Sequence, residues 1–141
     1  MSIYADSSFF VSLYVLDRHT LEARGWLASG LVLWMTPLHV AEWAHAIEQH
    51  VFRRSASRSE ADRAIELFNG DRKQGLWRET AVPEPAFEVC AQLAHQYAAR
   101  LGTRTLDSLH VASALELKAE EFWTFDDRQK KLARSVGLRT R

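Results

Sequence analysis

The chain has 141 residues, of which 47% are hydrophobic and 26% are charged, a composition typical of a globular domain. It carries 18 basic and 18 acidic residues, so its zero net charge gives no global argument for binding a polyanion. The single cysteine excludes an intramolecular disulfide, and no signal peptide or apolar run of roughly 18 residues is present. We therefore predict one domain over residues 1–141, in the cytoplasm and without a membrane segment.

Short apolar runs alternate with segments of helical periodicity along the chain. In chain order the predicted elements are a strand at 2–6, helices at 9–16 and 20–28, a strand at 31–35, helices at 37–54 and 57–68, a strand at 76–82, a helix at 83–101, a helix at 106–117, a strand at 121–125, a helix at 128–136 and a strand at 138–139. Asn69-Gly70 is the predicted end of the fourth helix, and the third strand is the least hydrophobic and is expected at a sheet edge. This alternation predicts an α/β fold, with a mostly parallel sheet between helices on both faces.

The helix at 106–117 is apolar almost all the way round, which is typical of a buried helix. It nevertheless carries Asp107 in its first turn. A buried carboxylate needs a partner, and the N–H groups and dipole of the helix N-terminus favour an anion there. Thr105 is the predicted cap. Asp107 is therefore either a helix-start residue or one member of a metal site.

Several other carboxylates are predicted at the same edge of the sheet. Ligands bind outside the carboxyl ends of the strands in an open parallel sheet. Asp6 ends the first strand, Asp126 and Asp127 end the fourth, and Asp107 begins the helix that leads into the fourth strand. Glu42 lies about a turn and a half into its helix, from where it could reach this edge.

Carboxylates that converge on one place repel each other, and without a counter-charge some of them would hold a proton. A divalent cation removes this repulsion, and ligation by oxygen alone suits Mg²⁺ or Mn²⁺. Two such ions about 3.5–4 Å apart can activate a water and stabilise a leaving oxygen in phosphoryl chemistry. The pattern thus predicts a metal-dependent enzyme that acts on phosphate esters.

Four sequence motifs resemble the PIN-domain family, particularly the small ribonuclease toxins of bacterial toxin–antitoxin pairs (VapC-like). They are Tyr4-Ala5-Asp6-Ser7-Ser8, Glu42 early in the helix after Thr36-Pro37, Thr105-Leu106-Asp107-Ser108-Leu109-His110-Val111-Ala112-Ser113-Ala114, and Trp123-Thr124-Phe125-Asp126. The resemblance runs the whole length of the chain. It implies a PIN-like three-layer sandwich, an acidic site for Mg²⁺ or Mn²⁺, endonucleolytic cleavage of RNA, a homodimer and an antitoxin partner.

Carried over residue by residue, the family's acidic positions fall on Asp6, Glu42 and Asp107. The fourth falls on Asp126, because the family pattern is Thr, any residue, Asp, and the adjacent Asp127 could substitute for it. Small hydroxyl residues of the family fall on Ser7, Ser8 and Thr124. Together with Asp127, these are candidates to orient water or the metal-binding carboxylates.

Each of these residues also has a simpler structural interpretation. Asp6 could be a turn residue, Glu42 an ordinary surface glutamate, and one of Asp126 and Asp127 a helix cap. His110 is predicted to be a hydrogen-bonded core histidine rather than a ligand, because hard cations prefer oxygen. Trp43, beside Glu42, is a candidate surface for stacking a base.

Basic side chains near the acidic motifs are candidates for contact with the RNA backbone. Arg104 precedes the helix of Asp107. Arg53 and Arg54 end the third predicted helix, beside the loop that follows it, and Lys130 lies in the last helix. Their simpler interpretation is surface solubility.

The leading hypothesis is therefore an endoribonuclease that leaves 5′-phosphate and 3′-hydroxyl ends, as the resemblance implies. The alternative is a non-catalytic PIN-like module that binds RNA or protein, which predicts gaps among the acidic positions. A phosphatase of the haloacid dehalogenase type needs a second Asp two residues after the first, where this chain has Ser8. A phospho-accepting receiver domain needs an acidic pair on the first strand, which this chain lacks.

Overall fold

A five-stranded parallel sheet forms the centre of the molecule. The computed structural model describes residues 1–141. The strands are β1 (Ser2–Ala5), β2 (Val32–Met35), β3 (Arg78–Glu79), β4 (Glu121–Trp123) and β5 (Arg139–Thr140). Their order is β3-β2-β1-β4-β5, and every neighbouring pair is parallel. The predicted α/β class is confirmed, and β3 lies at an edge of the sheet as its composition predicted.

Helices cover both faces of this sheet. They are α1 (Ser7–Tyr14), α2 (Thr20–Trp26), α3 (Pro37–Phe52), α4 (Arg58–Lys73), α5 (Pro85–Leu93), α6 (Ala99–Leu101), α7 (Thr105–Glu116) and α8 (Asp127–Ser135). A π-helical turn at Ala94–Ala98 joins α5 to α6. None of these helices is long and apolar enough to span a bilayer.

Alternation along the strands divides the interior into two cores. Ile3 and Ala5 of β1 point into the core shared with α1, α2, α3 and α4. Tyr4 points the other way, into the core shared with α5, α7 and α8. In β4, Trp123 lies in the first of these cores and Phe122 in the second. Successive side chains of a strand face opposite sides of the sheet, so one short apolar strand supplies both layers. As a result Ile3, Tyr4 and Ala5 of β1 are completely buried at the centre of the fold.

Most helix ends lie one or more residues from the sequence-based prediction. Asn69-Gly70 does not end α4, which continues to Lys73 before Gly75 turns with a φ of +75°. A helical glycine lowers stability by only about 1 kcal/mol relative to alanine, which the packing of α4 outweighs. Helix α1 begins at Ser7 rather than Phe9, with Asp6 as its cap.

Helix α7 begins one residue earlier than predicted, so Thr105 is its first residue and not its cap. The N-cap is Arg104, whose side chain makes no capping hydrogen bond. Asp107 instead accepts a hydrogen bond from the Arg104 backbone N–H at 2.9 Å. The prediction that Thr105 caps this helix is therefore wrong.

Candidate active site

Asp6 is held at the carboxyl end of β1 by bonds to both of its carboxylate oxygens. Oδ1 accepts from the backbone N–H of Phe9 at 3.1 Å and from Ser8 Oγ at 2.7 Å, and Oδ2 accepts from Thr124 Oγ1 at 2.9 Å. Asp6 is only 7% exposed. Burial raises the pKa of Asp6 above its ordinary value, although these hydrogen bonds and the nearby His110 oppose the rise.

Glu42 reaches the same region from α3. Its Oε1 accepts a hydrogen bond from Ser7 Oγ at 2.8 Å and a second from His110 Nε2. Burial alone would raise the pKa of Glu42, but the hydrogen bonds from His110 and Ser7 and the charge of Arg104 outweigh it and lower the pKa. Glu42 is therefore not an ordinary surface glutamate, because its side chain is only 27% exposed and is bonded to two other helices.

His110 is buried on α7 and connects two layers of the fold. Its Nδ1 lies 2.8 Å from the hydroxyl of Tyr4, and its Nε2 bonds to Glu42. The prediction that His110 is a hydrogen-bonded buried histidine is confirmed. A second buried histidine, His39, bonds to Thr36 and to the carbonyl of Ala5, and burial lowers its pKa to about 3. His39 thus ties the start of α3 to β1.

Thr124 joins the ends of β1 and β4. Its hydroxyl lies 2.9 Å from Asp6 Oδ2 and 2.9 Å from Gln129 Oε1, and it accepts from the Asp126 N–H at 3.0 Å. Asp126 caps α8 by accepting from the Gln129 N–H at 2.8 Å. Gln129 also donates to the carbonyl of Asp107 at 3.3 Å. This network fixes the starts of α7 and α8 relative to Asp6.

The Asp107 side chain bonds to Arg104 and not to the residues that hold Asp6, Glu42 or Asp126. Its Oδ2 accepts from the Arg104 backbone and lies 3.5 Å from Arg104 Nε, and its side chain is 16% exposed. The Arg104 side chain is 80% exposed, and its charge also lowers the pKa of Glu42. Arg104 therefore lies at the rim of the site, where both acidic residues experience its charge.

Two of the other predicted RNA-contact residues, Arg53 and Arg54, lie away from this edge. Arg53 and Arg54 follow the C-terminus of α3, and they lie on the order of 16 Å from Glu42 at the 1.5 Å rise per residue of a helix. Lys130 lies in the first turn of α8, and its backbone N–H donates to the carbonyl of Asp126 at 2.9 Å, so this residue is near the acidic edge. Asp127 is exposed and, unlike Asp126, makes no hydrogen bond to the network.

The donors at this edge suit a hard divalent cation, since they are carboxylate and hydroxyl oxygens. Glu42, Asp107 and Asp126 each commit one carboxylate oxygen to hydrogen bonds and leave the other without a partner. No three acidic, histidine or cysteine side chains lie together as a metal-binding group. The predicted ligands thus share one edge of the sheet without closing into a ligand cluster.

A cavity of about 360 Å³ opens beside Ser7, Ser8 and Glu42, and His19, His50 and Phe125 also line it. A larger cavity of about 620 Å³ runs along α3 and β3 and contains none of the four candidate carboxylates. Only the smaller of these two cavities adjoins Glu42 and its partner Ser7. It provides space for a substrate next to Glu42.

The sequence analysis did not predict the hydrogen-bond partners of Tyr4, His110 and Gln129. The Asp126-to-Gln129 spacing is that of a capping box and could have drawn attention to Gln129. No signal in the sequence pairs Tyr4 with His110, which are 106 residues apart. Trp43 is a packing residue and not a surface for stacking a base, since it is 2% exposed and stacks on Phe68 at 3.9 Å.

The family model of the PIN domain matches residues 3–135. The chain belongs to the PIN domain family. No curated protein matches the chain significantly in sequence.

Solved structures with the fold of this PIN domain include toxins of toxin–antitoxin pairs. VapC20 of Mycobacterium tuberculosis, described as a toxin that cleaves the sarcin–ricin loop, has a TM-score of 0.68 at 17% identity over 96% of this chain and 95% of its own. VapBC2 of Rickettsia felis, bound to promoter DNA, has a TM-score of 0.69 at 12% identity over 100% and 98%. VapBC-1 of nontypeable Haemophilus influenzae has a TM-score of 0.62 at 19% identity over 100% and 97%. At these identities the likeness establishes the fold.

Proposed function

We propose that this PIN domain is a metal-dependent endoribonuclease. The observation that carries the proposal is the set of fixed acidic residues at this edge of the sheet. Thr124 bonds to the Asp6 carboxylate and to the Asp126 N–H, and Ser7, the residue after Asp6, bonds to Glu42. Family membership over residues 3–135 and the fold shared with an RNA-cleaving toxin support it.

In this proposal Asp6, Glu42, Asp107 and Asp126 hold Mg²⁺ or Mn²⁺. The cation would supply an activated water and would neutralise charge on the phosphodiester. Thr124 keeps Asp6 in place, and Ser7 does the same for Glu42. Ser8 bonds to the other oxygen of Asp6, so all three hydroxyl residues act on the orientation of carboxylates.

Arg104 is the basic residue best placed to bind the RNA backbone. Its guanidinium is 80% exposed and is paired only loosely with Asp107. A guanidinium can bind a phosphate through two parallel hydrogen bonds. Arg104 can therefore turn towards a phosphodiester while its backbone N–H continues to hold Asp107.

The direct test is an RNA-cleavage assay with the purified chain. We expect cleavage of one RNA class with Mg²⁺ or Mn²⁺, loss of cleavage with EDTA, and loss of at least about 100-fold in Glu42→Gln and Asp107→Asn, since such carboxylates act as a unit. The matched control is Glu48→Gln, an exposed glutamate on the same helix that pairs with Arg58. Undiminished metal-dependent cleavage by Asp107→Asn, with its circular dichroism unchanged, would contradict the assignment of Asp107.

We further propose that the protein is the toxin of a type II toxin–antitoxin pair, acting in the cytoplasm as a homodimer with an antitoxin partner. The toxin–antitoxin complexes among the structures of the same fold support this. Induction in a bacterial host should arrest growth, and co-expression of the neighbouring open reading frame should restore it. Light scattering on the purified protein tests the homodimer.

A non-catalytic PIN-like module that binds RNA or protein is the second candidate function. The separation of the carboxylates favours it, because no three of them form a metal-binding group. It predicts that the protein binds RNA equally well with EDTA and cleaves none. A metal requirement for cleavage decides between the two functions.

A further inference from the structure

Glu42 is held by one of its two carboxylate oxygens only. Oε1 accepts from Ser7 Oγ, at the start of α1, and from His110 Nε2, on α7, whereas Oε2 has no hydrogen-bond partner. The side chain is part-exposed, and a free glutamate of this kind would sample several rotamers. Two donors from different elements therefore select one orientation of the Glu42 carboxylate, and this orientation leaves Oε2 available.

We propose that His110, braced by Tyr4, is a positioning residue that fixes the Glu42 carboxylate and presents Oε2 to the catalytic metal ion. The inference rests on the proposed function, in which Glu42 is a metal ligand. It deepens that function by assigning a role to two buried residues that are not ligands themselves.

The direction of the hydrogen bonds follows from the chemistry of the three groups. An ionised carboxylate only accepts, so His110 Nε2 carries a proton and donates it to Glu42. The hydroxyl of a tyrosine is protonated at neutral pH and can both donate and accept a hydrogen bond. In neutral His110 the hydroxyl of Tyr4 therefore donates to Nδ1 at 2.8 Å and selects the ring form that donates to Glu42.

The surroundings of His110 hold the ring in one orientation. Tyr4 is fully buried and His110 is 3% exposed. Phe122 stacks against Tyr4 at 5.8 Å with an angle of 10° between the rings, and His39 lies 4.9 Å from the ring centres of both Tyr4 and His110. A close-packed ring cannot rotate to release Glu42 without displacing these neighbours. The position of Glu42 is thus set from β1 through His110.

A histidine needed only for packing would not require a donor at Nε2. We therefore compare His110→Gln, whose amide can still donate to Glu42, with His110→Leu, which fills similar space without a donor. Tyr4→Phe removes only the hydroxyl behind the ring. His45→Gln is the matched control, because His45 is an exposed histidine of α3.

The experiment measures Mn²⁺ affinity by electron paramagnetic resonance without RNA, kcat and KM for RNA, and the ring N–H proton of His110 by NMR. We expect His110→Leu to weaken Mn²⁺ binding about 10- to 100-fold, the usual loss for a residue that orients a metal ligand. His110→Gln should recover most of the affinity, Tyr4→Phe should lose less than His110→Leu, and His45→Gln should match the wild type. The loss in cleavage should fall on kcat rather than KM, since His110 does not touch substrate.

The NMR signal keeps the two hypotheses separate. A slowly exchanging, downfield His110 ring proton that shifts in Glu42→Gln reports the hydrogen bond whether or not the protein cleaves RNA. If the proton is present but the wild type neither binds Mn²⁺ nor cleaves RNA, the proposed function fails. If the wild type is active and a folded His110→Leu matches it in Mn²⁺ affinity and kcat, or if the ring proton does not respond to Glu42→Gln, the positioning role is overturned. Should His110→Leu fail to fold, a folded Tyr4→Phe that matches the wild type in both Mn²⁺ affinity and kcat would overturn it.

Discussion

Asp6 is both the N-cap of α1 and a member of the candidate site, and these two roles have opposite effects on the stability of the fold. As the N-cap of α1 it satisfies the Phe9 N–H, which stabilises the helix. As an ionised group at 7% exposure it loses hydration, which raises its pKa. The raised pKa of Asp6 means that folding disfavours the charged form of this carboxyl, a cost that is common at functional sites.

At the residue scale we predict that Asp6→Asn raises the melting temperature at pH 7 while it removes cleavage. The amide keeps an oxygen for the Phe9 N–H, and its NH₂ can donate to Thr124. A carboxyl whose folded pKa is raised stabilises the fold fully below its unfolded pKa of about 3.9 and loses that stabilisation as the pH rises through the folded pKa. The gain in Asp6→Asn should thus shrink towards pH 4, as measured by thermal denaturation across pH. A lower melting temperature than wild type at pH 7 would show that ionised Asp6 is net stabilising.

Trp43 and its neighbour Glu42 show which properties of a single residue can be predicted from sequence. The apolar spacing of α3 gives the buried face of that helix, but the prediction placed Trp43 at the site because of its neighbour Glu42. In a helix, adjacent residues face directions about 100° apart, so Trp43 enters the core while Glu42 points to α7. Helical periodicity therefore predicts the direction of the Trp43 side chain correctly, whereas its adjacency to Glu42 in sequence does not.

Helix α8 begins with two aspartates in different environments. Asp126 is the N-cap, bonded to the Gln129 N–H at 2.8 Å and next to Thr124. Asp127 is the first residue of the helix and is exposed. Sequence alone left both as candidates for the fourth acidic residue, because each follows a strand and precedes a helix. The structure supports Asp126 through its link to Thr124.

At the element scale we predict that substitutions at these two positions separate capping from catalysis. Asparagine is as good an N-cap as aspartate, so Asp126→Asn should keep the free energy of unfolding and lose cleavage. Asp126→Ala should lose cleavage and also about 1 kcal/mol of stability. Asp127→Asn is the control and should change neither by much. Urea denaturation and the RNA assay measure the two effects, and loss of cleavage in Asp127→Asn alone would reassign the fourth position.

The parallel sheet accounts for the meeting of residues from distant parts of the chain. Neighbouring parallel strands β1 and β4 end at the same edge, so Asp6 and Thr124 bond although 118 residues separate them. Helix α3 returns across the sheet from the end of β2, which brings Glu42 near Ser7. The site is therefore a property of the whole topology rather than of any one element.

At the scale of the whole molecule we predict that Mn²⁺ stabilises the fold. A ligand at about 100 times its dissociation constant adds about 2.7 kcal/mol, which corresponds to a rise of roughly 5–10 °C in melting temperature for a domain of this size. Differential scanning calorimetry should show this rise in the wild type, its reversal by EDTA, and a smaller rise in Glu42→Gln. An equal rise in both proteins would place the bound ion away from Glu42.

The sequence by itself determined the fold class, the parallel sheet, the edge position of β3 and the list of acidic residues. These follow from periodicity and from the order of strands and helices, which are local properties. Two helix boundaries, at Gly70 and Thr105, were wrong because weak local signals yield to tertiary packing. Local patterns could not distinguish Asp126 from Asp127 either.

Only the tertiary structure decided which polar groups bond to which. The chain of contacts from Tyr4 through His110 to Glu42 joins β1, α7 and α3, and no spacing in the sequence encodes it. The same holds for Thr124, which becomes the link between Asp6 and α8 only when β1 and β4 pair. Hydrogen bonds are short and directional, so they depend on the final packing of elements and not on the periodicity that defines each element.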